Sequence, residues 1–186
     1  QRALELARQG AGRVEPNPMV GCVIVQGEKI VGEGFHTAFG RDHAEIEALR
    51  NAGADAEGGT LYVNLEPCCH HGKTGPCTEA ILTAKLARVV VANRDPFPQV
   101  AGTGLASLRE HGLDVMTGVA AEEAEALNAP YFHYLQTNRP WVIAKWAMSL
   151  DGKMATTGGD SRWISNPRSR SIVHQIRGRV DAILIG

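Results

Sequence analysis

The sequence has no apolar run long enough to cross a membrane: its longest, such as residues 20–25 and 89–92, fall far short of the roughly 20 residues a span requires. It carries little excess charge. A formal net charge of −1 leaves no overall basic footprint with which to neutralise nucleic-acid phosphates. Aromatics are only 5% of the chain and form no stripe interleaved with basic residues, which argues further against a polynucleotide partner. Cysteine is scarce as well. Four are few for a disulfide scaffold, and three of them, Cys68, Cys69 and Cys77, crowd together beside histidines, a pattern that suits a reducing compartment and a metal ion. No secretory leader, internal repeat or low-complexity segment is visible, although the chain opens on Gln1 rather than Met. These absences point to a cytoplasmic protein with a small-molecule partner, with no nucleic acid and no membrane. Homo-oligomerisation is left open.

At 186 residues and 44% hydrophobic, the chain can bury one domain and part of another. Residues 1–9 carry apolar positions on one helical face. Residues 21–26 and 29–35 are β-rich runs split by Gly27-Glu28, which reads as an antiparallel hairpin. A helix over 43–52 follows, with Asp42 as its expected N-cap and Gly53 as its stop. Strand (60–64), helix (78–84), strand (88–93), helix (104–111) and strand (113–117) then alternate, which implies parallel pairing through helical crossovers. A helix over 121–135 completes a unit of about five strands with helices on both faces. Residues 137–140 read as a linker ending on Pro140. Beyond it the pattern predicts a strand at 141–146, a helix at 167–177 capped by Asn166 and a strand at 181–185. Those last 46 or so residues are too few to bury a core of their own, so they read as the start of a second domain.

The chemistry concentrates at two helix starts. His43-Ala44-Glu45 opens one helix, and Pro67-Cys68 lies between a strand and the next helix, with Cys77 just before that helix. One imidazole and two thiolates suit zinc, and a catalytic zinc site leaves its fourth position to water, whose pKa the metal and the helix dipoles lower. Glu45, two residues from the ligand His43, can move a proton between that water and a departing amine. His-x-Glu followed by Pro-Cys and a second Cys is the signature of zinc nucleobase deaminases. Here eight residues separate Cys68 from Cys77, longer than the usual two. The residues alone also admit a structural zinc closed by His70 or His71, which leaves Glu45 without a task. Cys22, inside an apolar strand, reads as core.

Five segments, Pro16-Asn17-Pro18-Met19-Val20-Gly21, His43-Ala44-Glu45, Leu65-Glu66-Pro67-Cys68, His70-His71-Gly72-Lys73-Thr74 with Cys77, and Asp95-Pro96, resemble the deaminase half of the bifunctional riboflavin-biosynthesis deaminase/reductases. Ser149-Leu150-Asp151-Gly152 and Ser161-Arg162-Trp163-Ile164 resemble the opening of that family's reductase half. The long insert between the cysteines is a family trait. The resemblance implies a cytidine-deaminase-like three-layer α/β/α domain with a mixed five-stranded sheet over residues 1–138. Residues 139–186 would be the N-terminal part of a dihydrofolate-reductase-like α/β domain that uses NADPH.

The implied substrate is 2,5-diamino-6-ribosylamino-4(3H)-pyrimidinone 5′-phosphate, deaminated at its ring 2-amino group to the uracil. His43, Cys68 and Cys77 would hold zinc and Glu45 would be catalytic. Asn17, His36, Ala44, His70 and Lys73 would bind the substrate. Lys145, Ala147, Ser161, Trp163 and Arg177 would belong to the reductase site, the rest of which would lie beyond Gly186, so the 186 residues are expected to deaminate without oxidising NADPH. Cys69, where the family usually has Ser, is expected to be a bystander. A zinc deaminase of another nucleobase or nucleoside, or a non-enzymatic zinc-stabilised module, remain the alternatives at this point.

Overall fold

Alternation along residues 21–26 sorts their side chains onto two faces of a sheet. In the computed structural model, which describes residues 1–71 and 75–185, β1 (Gly21–Gln26) and β2 (Lys29–Phe35) pair antiparallel, with Gly27 at φ +60 in the turn. Cys22 and Ile24 enter the main core with Leu61, Val63, Val89 and Val91, whereas Val23 and Val25 face Ala3 and Leu6 on the other side. The buried Cys22 thiol is pushed up by desolvation and takes no part in the site described below.

Three further strands complete the sheet: β3 (Thr60–Leu65), β4 (Arg88–Asn93) and β5 (Asp114–Thr117), in the order β2-β1-β3-β4-β5. β1 meets β3 antiparallel, while β3, β4 and β5 are parallel, as connections through helices require. The helices α2 (Ala44–Ala52), α3 (Cys77–Thr83) and α4 (Thr103–Glu110) pack over one face, and α1 (Arg2–Ala7) and α5 (Ala121–Leu127) over the other. This is the expected three-layer α/β/α arrangement with a mixed five-stranded sheet.

Glycine sets how closely α2 approaches β2. A Cβ on Gly34 would stand 2.5 Å from both the Ala44 carbonyl oxygen and the Ala48 amide nitrogen. Gly34→Ala is therefore expected to push the helix that carries Glu45 off the sheet. The stability lost to such overpacking is about 1–3 kcal/mol, read as a lower midpoint in urea unfolding.

Three expectations need correction. Asp42 does not cap α2: His43 is the N-cap, without a side-chain cap bond, and the Asp42 carboxylate pairs with Arg50 instead. The helix expected over 121–135 is two helices, α5 and α6 (Ala129–Thr137), broken at Asn128. Pro130, at the start of α6, has no N–H to give back to the preceding turn and crowds its carbonyl. Finally, neither 141–146 nor 181–185 forms a strand among the described residues. A strand exists through ladder bonds to a neighbour, and the described residues after 140 supply none.

The chain divides into two compact units, Gln1–Pro140 and Trp141–Gly186. The second contains α7 (Pro167–Arg177), whose N-cap is Asn166 as expected: its side chain accepts from the Ser169 amide at 2.8 Å. None of the described helices is long and apolar enough to cross a membrane.

Candidate active site

His43 precedes α2 with extended backbone (φ −73, ψ 160), and its ring meets the two cysteines, one before α3 and one at its start. There His43 Nδ1 lies 3.4 Å from Cys68 Sγ and 3.3 Å from Cys77 Sγ. The three donor atoms all fall within 4.8 Å of one another. A tetrahedral zinc bound at the usual Zn–N and Zn–S lengths separates such atoms by about 3.6 Å, so the set fits the ion with only small adjustment. Cys68, with the Cys77 thiol donating to it and His43 alongside, is drawn down to about 4, and Cys77 is pushed up by that same bond and by burial. His43, bonded to Cys68, is raised to about 9. Zinc takes thiolates and a neutral imidazole, so its binding displaces the protons these donors carry.

Glu45 sits beside this cluster, 3% exposed, on the first turn of α2. Its Oε2 is buried with no hydrogen-bond partner among the described residues. Burial, opposed by His43, pushes its carboxyl up to about 7. A buried carboxylate two residues from a metal-ligand candidate, with one oxygen unpartnered among the described residues, is placed to serve a bound molecule.

Both groups open into a cavity of about 350 Å³, in the range of small-molecule sites. Asn17 and His36 line it together. His36 Nδ1 is 3.0 Å from the Asp42 carbonyl, which can only accept, so Nδ1 carries the proton. Burial holds this ring's pKa low, and neutral Nε2 then accepts from Asn17 Nδ2 at 3.1 Å. Asn17 is thereby oriented, with its amide oxygen left as an acceptor. His70 also lines the cavity, its Nδ1 buried without a partner among the described residues and its ring 6.2 Å from Phe97. Ala44 is fully buried at the start of α2. Lys73 lies outside the described residues.

Several pocket groups were not read from the sequence as site residues. Asp95, 8% exposed, accepts from the Tyr131 hydroxyl and the Phe97 amide at 2.9 Å each. Tyr131, Tyr134 and Leu135 bring α6 to the cavity, and their helical spacing was the available signal. Glu66 accepts from the amides of Asp95, Gly102 and Leu105 at 2.9–3.2 Å, which ties the loop carrying Asp95 and Phe97 to the end of β3. Cys69 turns elsewhere, its sulfur 2.9 Å from the Thr103 hydroxyl. A more open cavity of about 690 Å³, between the ends of β4 and β5, is lined by Arg94 and Arg109 and holds none of the expected site residues. In the second unit, Lys145, Ser161, Trp163 and Arg177 are exposed and Ala147 is half-buried, with the Arg170 guanidinium 4.3 Å over the Trp163 ring.

Comparison with known proteins places this geometry in a family. Residues 1–93 match the cytidine and deoxycytidylate deaminase zinc-binding region, and residues 140–186 match the RibD C-terminal domain. The riboflavin biosynthesis protein RibD of Synechocystis is 50% identical over all 186 residues, which cover 50% of that protein. The structure of Acinetobacter baumannii RibD superposes with a TM-score of 0.90 at 46% identity, over 96% of this chain and 50% of that one. A Thermotoga maritima diaminohydroxyphosphoribosylaminopyrimidine deaminase/5-amino-6-(5-phosphoribosylamino)uracil reductase gives 0.89 at 47% identity, over 95% and 51%. The chain spans about half the length of the curated relatives it matches. With a zinc-deaminase match over its first 93 residues, a RibD match over its last 47 and near-complete alignment to RibD proteins between, the chain belongs to the zinc-dependent deaminase family, in the branch of the riboflavin-biosynthesis deaminase/reductases.

Proposed function

We propose that residues 1–138 form a pyrimidine deaminase that hydrolyses the 2-amino group from 2,5-diamino-6-ribosylamino-4(3H)-pyrimidinone 5′-phosphate. Residues 139–186 open the NADPH-dependent reductase that reduces the ribosyl group of the product to ribityl in the longer protein. The observation that carries this reading is the His43, Cys68 and Cys77 cluster beside a buried Glu45 oxygen that has no partner among the described residues, with His43, Cys68 and Glu45 lining one cavity.

His43, Cys68 and Cys77 would hold zinc. When bound, zinc supplies the Lewis acidity that makes water nucleophilic near neutral pH. Glu45 takes a proton from the attacking water and delivers it to the departing amine: water adds at the ring carbon, the C–N bond breaks, ammonia leaves and a carbonyl remains. The Asn17 amide oxygen, held by His36, accepts from a ring N–H, and the Ala44 backbone contacts the ring. His70 and Lys73 reach the rest of the substrate, its phosphate included. Lys145, Ala147, Ser161, Trp163 and Arg177 contribute to the NADPH and substrate site of the reductase. The family membership favours a phosphorylated pyrimidine over nucleic acid and a cytoplasmic location.

Ammonia release measured on the diaminopyrimidine phosphate and, in parallel, on cytidine tests the assignment. Turnover is expected on the first only. Turnover of cytidine at a comparable rate would reassign the enzyme to another pyrimidine.

A further inference from the structure

Two buried asparagines grip the segment that carries Asn17. Asn128, 3% exposed, accepts from the Met19 amide through Oδ1 and donates to the Met19 carbonyl through Nδ2, both at 2.8 Å. Asn64, 2% exposed, donates to the same carbonyl at 2.9 Å and accepts from the Gly21 amide at 2.8 Å. Asn128 thus meets both backbone polar groups of Met19 in the manner of a strand partner, from 109 residues away. The prolines on either side of Asn17 have fixed φ and no N–H, and the Asn17 amide is itself tied to the Val14 carbonyl at 2.9 Å. With so few free dihedrals between them, fixing the Met19 backbone fixes Asn17.

Asn128 also stands at the break between α5 and α6, three residues before Tyr131, and its carbonyl accepts from the Phe132 amide. One residue therefore joins the Asn17 segment to the helix that presents Tyr131 to the same cavity. We propose that Asn128 is a positioning residue for the deaminase: it sets the placement of Asn17 against α6, and so the fit of the substrate ring, without touching the substrate. The inference rests on the assignment of Asn17 to substrate binding made above.

The test is a double-mutant cycle on the zinc-loaded chain with the diaminopyrimidine phosphate as substrate. Asn128→Ala is expected to raise KM by about tenfold or more and to leave kcat within about threefold, since losing a contact made equally in the ground and transition states raises KM alone. Zinc content should stay that of the unmodified chain. Added to Asn17→Ala, it should raise KM no further by more than about threefold, because both changes remove the same interaction. An unchanged KM in Asn128→Ala, or effects that multiply in the double variant, overturns the proposal while leaving the role of Asn17 standing. A wild-type KM in Asn17→Ala instead removes the substrate-binding assignment itself, and this proposal with it. If Asn128→Ala does not accumulate folded, Asn128→Asp, which keeps the acceptor and loses the donor, is read in its place. Loss of fold in both assigns Asn128 to folding alone and overturns the proposal.

Discussion

Glu45→Gln should lower ammonia release by about 10²–10⁴-fold, the range that a positioned general acid-base group supplies. Glutamine has the size and shape of glutamate, and the Glu45 Oε2 has no partner among the described residues that the exchange would strand. The fold should therefore persist. His43, Cys68 and Cys77 are untouched, so zinc bound per chain should match the unmodified protein. What glutamine lacks is a basic oxygen to take the proton from water. If the variant deaminates at near the original rate, the proton shuttle is some other group. If it loses zinc along with activity, Glu45 supports the metal rather than the chemistry. Assaying ammonia and zinc on the same preparation separates the three results.

Cys77→Ala should weaken zinc binding by well over about 10²-fold, because even partners outside the coordination shell contribute 10–100-fold to a metal site. Cys77 is fully buried, and its sulfur lies against His43 Nδ1. Removing it leaves His43 and Cys68 facing an apolar gap where a thiolate should stand. Metal analysis after dialysis should find zinc largely lost, with activity falling in proportion. Cys69→Ala is the matched control, since its sulfur is directed to Thr103 and it should keep both zinc and turnover. Zinc loss in the control would mean that the loop between Cys68 and Cys77 closes the site differently. Retention of zinc in Cys77→Ala would place His70 or another donor in the coordination set.

Much of this architecture could be read from residues 1–138 because their signals were local. The alternation of Cys22, Val23, Ile24 and Val25 sorts them onto two faces whatever lies opposite, and the strand of residues 88–93 matches its expected bounds. Asn166 was recognisable as a cap because its bond to Ser169 spans three residues. The misreadings arose where one local signal competed with another. Asp42 has the right chemistry for a cap, but Arg50 holds its carboxylate. Apolar spacing carries across 121–135, but Pro130 outweighs it. Residues 141–146 have strand composition, yet composition does not supply a neighbouring strand.

The sequence by itself determined the metal chemistry. One histidine, a glutamate two residues on, and two cysteines flanking a loop are enough to name a zinc deaminase, because the ligand types and the helix-start spacing of His43 and Glu45 are local properties. Only the tertiary structure decided what surrounds that centre. Asp95 and Tyr131 meet across 36 residues, Glu66 gathers the amides of Asp95, Gly102 and Leu105 from the loop before α4 and from its first turn, and Asn128 pairs with Met19 over 109. Each of these is a hydrogen bond made to satisfy a polar group that folding buries, and its partner is set by which elements the sheet brings side by side. Nothing in the spacing along the chain announces such partners, so the walls of the pocket could be known only once the chain was folded.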